Sequence, residues 1–357
     1  RSIRNKRDRL MSEAAEFSPA TLNLASVRAR HADLAGSIIH TPTTRLASPV
    51  VGQILASDQV YLKLECYQRT GTFKARGALS VARAIPDRDR AKGITAASAG
   101  NHAIAAAWAA RQLGVSAKVV MQSTANPFRV ALARAEGAEL IMKDGGLAAI
   151  GEAERLAEDE GRTFIHPFEG INTTLGAAGV GLEIMEDLAA IGAGADAVIV
   201  SVGGGGLISG VAAGVKLVNP NCAVYGVEPE GADSVSRSLA AGKPVTLDKV
   251  DTIADSLGPP FSLPYGLSVI REFVDDVVRI TDDQILAGLV VLQEEGKLAV
   301  EPAAGAAMAA ALGPLRARLQ GKRTVILICG ANIDGETYTQ LHARGREHVA
   351  ALIGASN

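Results

Sequence analysis

Aromatic residues are scarce, at 4% of 357 residues. That argues against a stacking platform for single-stranded nucleic acid. Neither sign of charge predominates, and the formal net charge is −2. No basic face is implied, which argues against nucleic acid and anionic membrane as partners. Cysteine is rare too: Cys66, Cys222 and Cys329 lie far apart and no C-x-x-C pair exists. A zinc site or a disulfide framework is therefore not expected. The longest apolar runs, such as "AIAAAWAA" (103–110), are too short to cross a bilayer. The first ten residues carry five positive charges and one negative, with no apolar stretch behind them. They are not a secretory signal. An upstream or cloning extension over 1–22, with Met11 as a natural start, and a cytoplasmic location are expected.

What is present is globular: 48% hydrophobic residues, 21% charged residues and 38 glycines. The length exceeds what one core usually holds, so two lobes are expected. Strand-like runs at 60–65, 93–97, 117–122, 139–143, 162–168, 195–202, 223–228 and 323–330 alternate with helical patterns. The helices are expected at 23–36, 74–85, 101–113, 127–137, 147–160, 207–218 and from about 335. Nearly all-apolar strands in such alternation predict an α/β fold of two open, mostly parallel sheets, with helices on both faces. The smaller lobe is expected at 82–160 and the larger from 23–81 and 161–357. From about 244 to 281 the pattern weakens, and "SLGPPFSLPYG" (256–266) reads as a proline-rich loop.

Three strand-to-helix junctions carry unusual chemistry. In open parallel sheets, ligands sit beyond the carboxyl ends of the strands. In "SVGGGGLISG" (201–210) four glycines precede a helix. Their amides suit a phosphate or carboxylate; the plainer alternative is a flexible turn. The spacing is not G-x-G-x-x-G, so the phosphate is not expected to be a nucleotide's. In "ASAGNHA" (97–103) small residues precede Asn101 and His102. That loop suits a second anion, or is an ordinary helix cap. In "QRTGTFKARGA" (68–78), Thr72 reads as the N-cap and Lys74 lies in the first helical turn. The helix dipole and Arg76 oppose the charge of Lys74. Partial burial would lower its pKa from about 10.4. Such a lysine is a nucleophilic amine, although an isolated lysine is more often a solvated charge. An amine nucleophile, a phosphate cradle and a carboxylate loop together describe pyridoxal phosphate acting on an amino acid.

"RTGTFKARGA", "SAGNHA", "VGGGGLISG" and "CGAN" occur in the order and rough spacing of the fold type II pyridoxal-phosphate enzymes. The chain resembles the serine/threonine dehydratases most closely, over nearly all of 23–340. The resemblance implies that Lys74 carries the cofactor, with Phe73 against its ring. It implies that Asn101 bonds the phenolic oxygen, and that Gly203, Gly204, Gly205, Gly206 and Leu207 hold the phosphate. Cys329 would face the pyridine nitrogen, where a neutral thiol keeps the electron sink shallow; the plainer alternative is a small buried hydrophobe. Ser98, Ala99, Gly100, Asn101 and His102 would receive the substrate. A homodimer or homotetramer is expected.

The implied reaction is elimination of the β-hydroxyl from an L-β-hydroxy amino acid such as threonine or serine, giving a 2-oxo acid and ammonia. Rival readings are a β-replacement enzyme of the same fold, a dehydratase of a specialised substrate (3-hydroxyaspartate or a product of compatible-solute breakdown), and a cofactor-binding protein without catalysis. Four departures from relatives bear on this. Serine racemases carry a second serine where this chain has Ala99, so racemisation is not expected. The family's G-Q-G-T run appears as Gly176-Ala177-Ala178-Gly179. Near Glu228, where some relatives bind a divalent cation, the second acidic position falls on Ser234, and no metal is expected. The short tail after Asp334 leaves no room for the C-terminal regulatory domain of biosynthetic relatives, so feedback through one is not expected.

Overall fold

A computed structural model of the protein describes residues 16–354. Most of the expected extension, Met11 included, lies outside the described residues. From Phe17 the chain is packed: that ring meets Phe273 edge-on at 5.3 Å, and Leu22 is buried.

The described residues contain two sheets. The larger runs, in spatial order, β1 (Thr43–Arg45), β2 (Val60–Leu64), β10 (Thr324–Ile328), β7 (Ala197–Ser201), β8 (Ala223–Pro229) and β9 (Asp276–Ile280). The smaller runs β5 (Glu139–Lys143), β4 (Ala117–Gln122), β3 (Ile94–Ala97) and β6 (Thr163–Phe164). Every pairing is parallel except the edge pair β1–β2. All five residues of β2, of β7 and of β10 are buried, so both faces of the larger sheet are covered. Ile326 of β10 pairs with Leu62 on one side and Ile199 on the other. The carboxyl ends of these three strands therefore stand side by side.

Most of the expected elements are present. The helix at 101–113 is Asn101–Leu113, stopped by Gly114 at φ +66°. The strand expected over 162–168 shrinks to Thr163–Phe164. Pro167 offers no amide, and the amides of Phe168 and Glu169 turn back to His166 Nδ1 at 3.3 and 3.1 Å. Thr72 is not the helix cap; Phe73 is, while Thr72 Oγ1 accepts from the Lys74 amide at 3.3 Å. The proline-rich loop at 256–266 passes into a helix at Pro264–Phe273, with proline in its first turn.

The longest helix, Ile171–Ala190, escapes the sequence pattern because its run "LGAAGVGL" looks like a breaker. Those small residues are where it meets the helix Gly206–Lys216. A Cβ on Gly214 would stand 2.2 Å from the Ala178 carbonyl oxygen, and one on Gly181 2.4 Å from that of Val211. Close helix approach overrides propensity here.

Under this helix lies a cluster of charges with fully buried side chains. Arg76 grips Glu65 with two nitrogens, both at 2.8 Å, and Glu183 with two at 2.7 and 2.8 Å. Lys63 completes it at 2.7 Å from Glu183 and 2.7 Å from the Thr41 carbonyl. Burial alone would raise the Glu183 carboxyl, but Arg76 and Lys63 hold it below the ordinary range. Two cations and two carboxylates balance, which makes their burial tolerable. Removing one partner leaves a bare buried charge. Glu183→Gln should destabilise the protein by about 3–5 kcal/mol, read as a fall in the urea midpoint. A loss below about 1 kcal/mol, the worth of a surface pair, would show that the cluster is solvated.

Candidate active site

The segments of Lys74, Cys329 and the glycine run leave the carboxyl ends of β2, β10 and β7 of the larger sheet. Two backbone bonds tie the first pair together: Phe73 N–H to the Cys329 carbonyl and Ala331 N–H to the Gly71 carbonyl, both 3.1 Å. Lys74 and Cys329, far apart in sequence, are thereby neighbours. The glycine turn after β7 closes the third side. The Ser98–Gly100 loop leaves β3 of the smaller sheet and faces them.

The Lys74 amine donates to the Pro167 carbonyl at 2.6 Å and sits 5.1 Å from the centroid of the Phe73 ring. It lines a small cavity with Phe73, His102, His166, Thr173 and Gly206. Burial pushes its pKa from the ordinary 10.5 down to about 8, against the opposing pull of Cys329 and Glu301. Arg76 plays no part in this, contrary to the expectation from sequence. Its guanidinium is spent on Glu65 and Glu183. The Cys329 thiol is pushed up by burial and by Glu301, so it is uncharged at neutral pH. Burial, then the charge of Lys74, takes both His102 and His166 from 6.5 to about 3, and each imidazole is neutral.

The glycine turn has a steric reason for its composition. A Cβ on Gly204 would lie 2.4 Å from the Phe168 ring, one on Gly206 2.6 Å from the Phe168 Cα, and Gly205 has φ +93°. The amides of Gly203 through Leu207 donate to no protein acceptor among the described residues. All but Gly203 are buried. Buried amides rarely go unpaired, and at the start of a helix they favour an anion.

Asn101 is nearly buried and opens its helix. Its amide nitrogen donates to both Glu301 oxygens at 3.0 and 2.9 Å, and its oxygen accepts from Asn332 at 2.9 Å. Gly100 is held by its amide to Ser98 Oγ at 3.1 Å, and Ala99 is half-buried beside it. His102 turns inward, its Nε2 2.8 Å from the Ile165 carbonyl. Glu228 is spoken for: its oxygens accept from the Val235 and Ser236 amides at 2.8 Å and from Ser236 Oγ at 2.6 Å.

Sequence reading missed Glu301, Arg129, His166 and Thr173. Glu301 had a signal, a lone acid inside the apolar run "LAVEPAAGAA" (298–307). Arg129, nearly buried, joins Asp255 at 2.5 Å and the Asn332 carbonyl at 2.9 Å, and nothing in its local sequence announces that.

The sequence profile of the family described as "pyridoxal-phosphate dependent enzyme" matches residues 36–330. Phenylserine dehydratase of Ralstonia pickettii is 48% identical over 281 residues, covering 79% of this chain and 85% of that protein. The catabolic L-threonine dehydratase of Escherichia coli is 37% identical over 287 residues, with coverage of 79% and 85%. Among solved structures, maize serine racemase superposes with a TM-score of 0.83 at 33% identity, covering 92% of this chain and 99% of that one.

A desolvated amine should react at a lower pH than a solvated one. With cofactor removed, modification of Lys74 by a small amine-selective reagent should rise with a midpoint near the amine's lowered pKa of about 8. A midpoint at the ordinary lysine value of about 10.4 would show that the amine is in water.

Proposed function

The chain belongs to the pyridoxal-phosphate dependent enzymes, and from that membership we propose how its residues work. It is a lyase, a dehydratase that removes the β-hydroxyl and the amino group of an L-β-hydroxy amino acid and leaves a 2-oxo acid. The observation that carries the assignment of residues is the buried amine of Lys74 sharing a cavity with the glycine turn.

The residues present fit pyridoxal phosphate. Five consecutive amides at 203–207 need an acceptor and suit the phosphate. Lys74 is an uncharged nucleophile at pH values above about 8. Cys329 would offer a neutral group to the pyridine nitrogen, and Asn101, bonded to Glu301 and Asn332 in this structure, would turn its amide to the phenolic oxygen. When bound, the cofactor takes up the electron pair left as the Cα proton departs.

The rest is the work of the chain. Lys74 holds the cofactor at rest and presents its amine to the Cα proton of the bound amino acid. Ser98, Gly100 and His102 shape the loop for the substrate carboxylate. The apolar walls keep Lys74 desolvated and its proton affinity low. Ala99 leaves the other face of Cα without an acid or base. Assembly as a homodimer or homotetramer in the cytoplasm belongs to the same proposal. Three free, buried cysteines suit a reducing compartment, and sedimentation settles the assembly.

Substrate supplied alone should release ammonia and oxo acid in equal amounts. Unreacted L-substrate should keep its configuration, because inversion requires a second proton carrier on the opposite face. Ala99→Ser should introduce detectable inversion. Chiral chromatography during turnover checks both, and D-serine formed from L-serine by the unaltered protein would reopen the racemase reading. A requirement for a second, nucleophilic substrate would favour β-replacement instead.

Two observations favour a substrate side chain larger than that of threonine. One is the similarity to a phenylserine dehydratase. The other is Ala177, which lines the cavity where the family carries glutamine. Against a panel of serine, threonine and 3-phenylserine, kcat/KM should be greatest for phenylserine, by about tenfold or more over serine. Equal or lower values would return the assignment to threonine or serine.

A further inference from the structure

Two polar side chains in the Lys74 cavity have no role in the reading above. The first is His166. Its Nδ1 accepts from two amides, those of Phe168 at 3.3 Å and Glu169 at 3.1 Å. A nitrogen that accepts carries no hydrogen, so the neutral ring must hold its proton on Nε2. The ring is clamped edge-on between Phe168, at 4.6 Å, and Phe164, at 5.9 Å. Nε2–H has no protein acceptor among the described residues, and the ring lines the cavity beside Lys74 and Gly206. The other imidazole of the cavity differs, since His102 Nε2 is engaged by Ile165.

The second is Thr173, in the first turn of the helix Ile171–Ala190. The residue is 7% exposed, and its buried Oγ1 has no hydrogen-bond partner among the described residues. Its Cγ2 faces Gly77, where an added Cβ would stand 3.3 Å away. An unpaired hydroxyl in so dry a place carries a penalty that a ligand acceptor would remove.

We propose that His166 Nε2–H and the Thr173 hydroxyl donate to the phosphate of the cofactor, completing with side chains the row of amides from Gly203 to Leu207. A phosphate presents three strongly accepting oxygens, more than one turn of amides fills. A neutral imidazole serves them without the desolvation cost of a buried cation. The inference rests on the cofactor reading above, and the test separates the two.

The test compares affinity for pyridoxal 5′-phosphate with that for pyridoxal, which lacks the phosphate, on full-length protein stripped of cofactor. His166→Phe keeps a ring between Phe164 and Phe168 but has no donor. Thr173→Val keeps the methyl against Gly77 but has no hydroxyl. Each should weaken pyridoxal phosphate by at least about tenfold, the worth of a hydrogen bond to a charged group, and leave pyridoxal unchanged. Thr173→Ser should restore the affinity. Unchanged binding of pyridoxal phosphate, or an equal loss for both compounds, would overturn the proposal and reduce the two residues to packing. An unaltered protein that binds the two compounds equally would sink the cofactor reading itself, and this inference with it. Long-range proton–nitrogen spectra of the stripped protein give a readout independent of binding. They should show His166 protonated on Nε2, and a proton on Nδ1 would contradict the geometry.

Discussion

The site depends on the ion cluster of Lys63, Arg76, Glu65 and Glu183. Arg76 lies two residues beyond Lys74 on the same helix, and its guanidinium is gripped by Glu65, just after β2, and by Glu183 of the helix Ile171–Ala190. A fully buried guanidinium cannot drift, because any displacement strands a charge in the core. The cluster thus sets where the helix Lys74–Arg83 begins, and with it where the Lys74 amine stands. It also anchors the helix whose first turn carries Thr173 into the same cavity.

With position settled, the electrostatics of the cavity follow from dryness. The bases and the thiol around Lys74 are held in neutral forms: His102 and His166 by burial and by the lysine's own charge, Cys329 by burial and Glu301. Hydrogen-bond donors are at hand in the amides of the glycine turn, while the amide nitrogen of Asn101 is given to Glu301. A neutral cavity rich in donors beside a weakened ammonium is prepared for an anion and for an amine that gives up its proton easily. Glu301 is a buried acid close to Lys74 and Cys329. Burial raises its pKa against the pull of Arg129 and Asn101, and it spans Asn101 of the smaller sheet's first helix and Arg129 of the next. The two sheets therefore meet through polar contacts directly over the site.

Much of this was legible in the sequence. The glycine run, the helix-start lysine and the Asn-His helix start each announce a strand-to-helix junction; parallel pairing brings the first two to one edge of the larger sheet, and the third faces them from the smaller sheet. The helix at 101–113 was readable because a glycine ends it. What stayed hidden was tertiary. The helix Ile171–Ala190 looks broken because its glycines serve a neighbouring helix. Thr163–Phe164 looked longer because the apolar run continues past the point where Pro167 and the His166 ring end the ladder. Sequence alone makes Arg76 a charge acting on Lys74, since adjacency in sequence is visible and the carboxylates that claim it are not. His166 and Thr173 are ordinary residues in sequence, and only their unmet hydrogen bonds in a shared cavity distinguish them.

The central claim is that Lys74, alone among the lysines, is the amine that carries the cofactor. Lys63 provides an internal contrast, being more deeply buried but locked to Glu183 and the Thr41 carbonyl. The most direct measurement is borohydride reduction of the protein loaded with pyridoxal phosphate, followed by peptide mass mapping. The account predicts that the reduced cofactor is recovered on the peptide containing Lys74 and on no other. Its recovery on Lys63 or on a surface lysine, with Lys74 unmodified, would contradict the account.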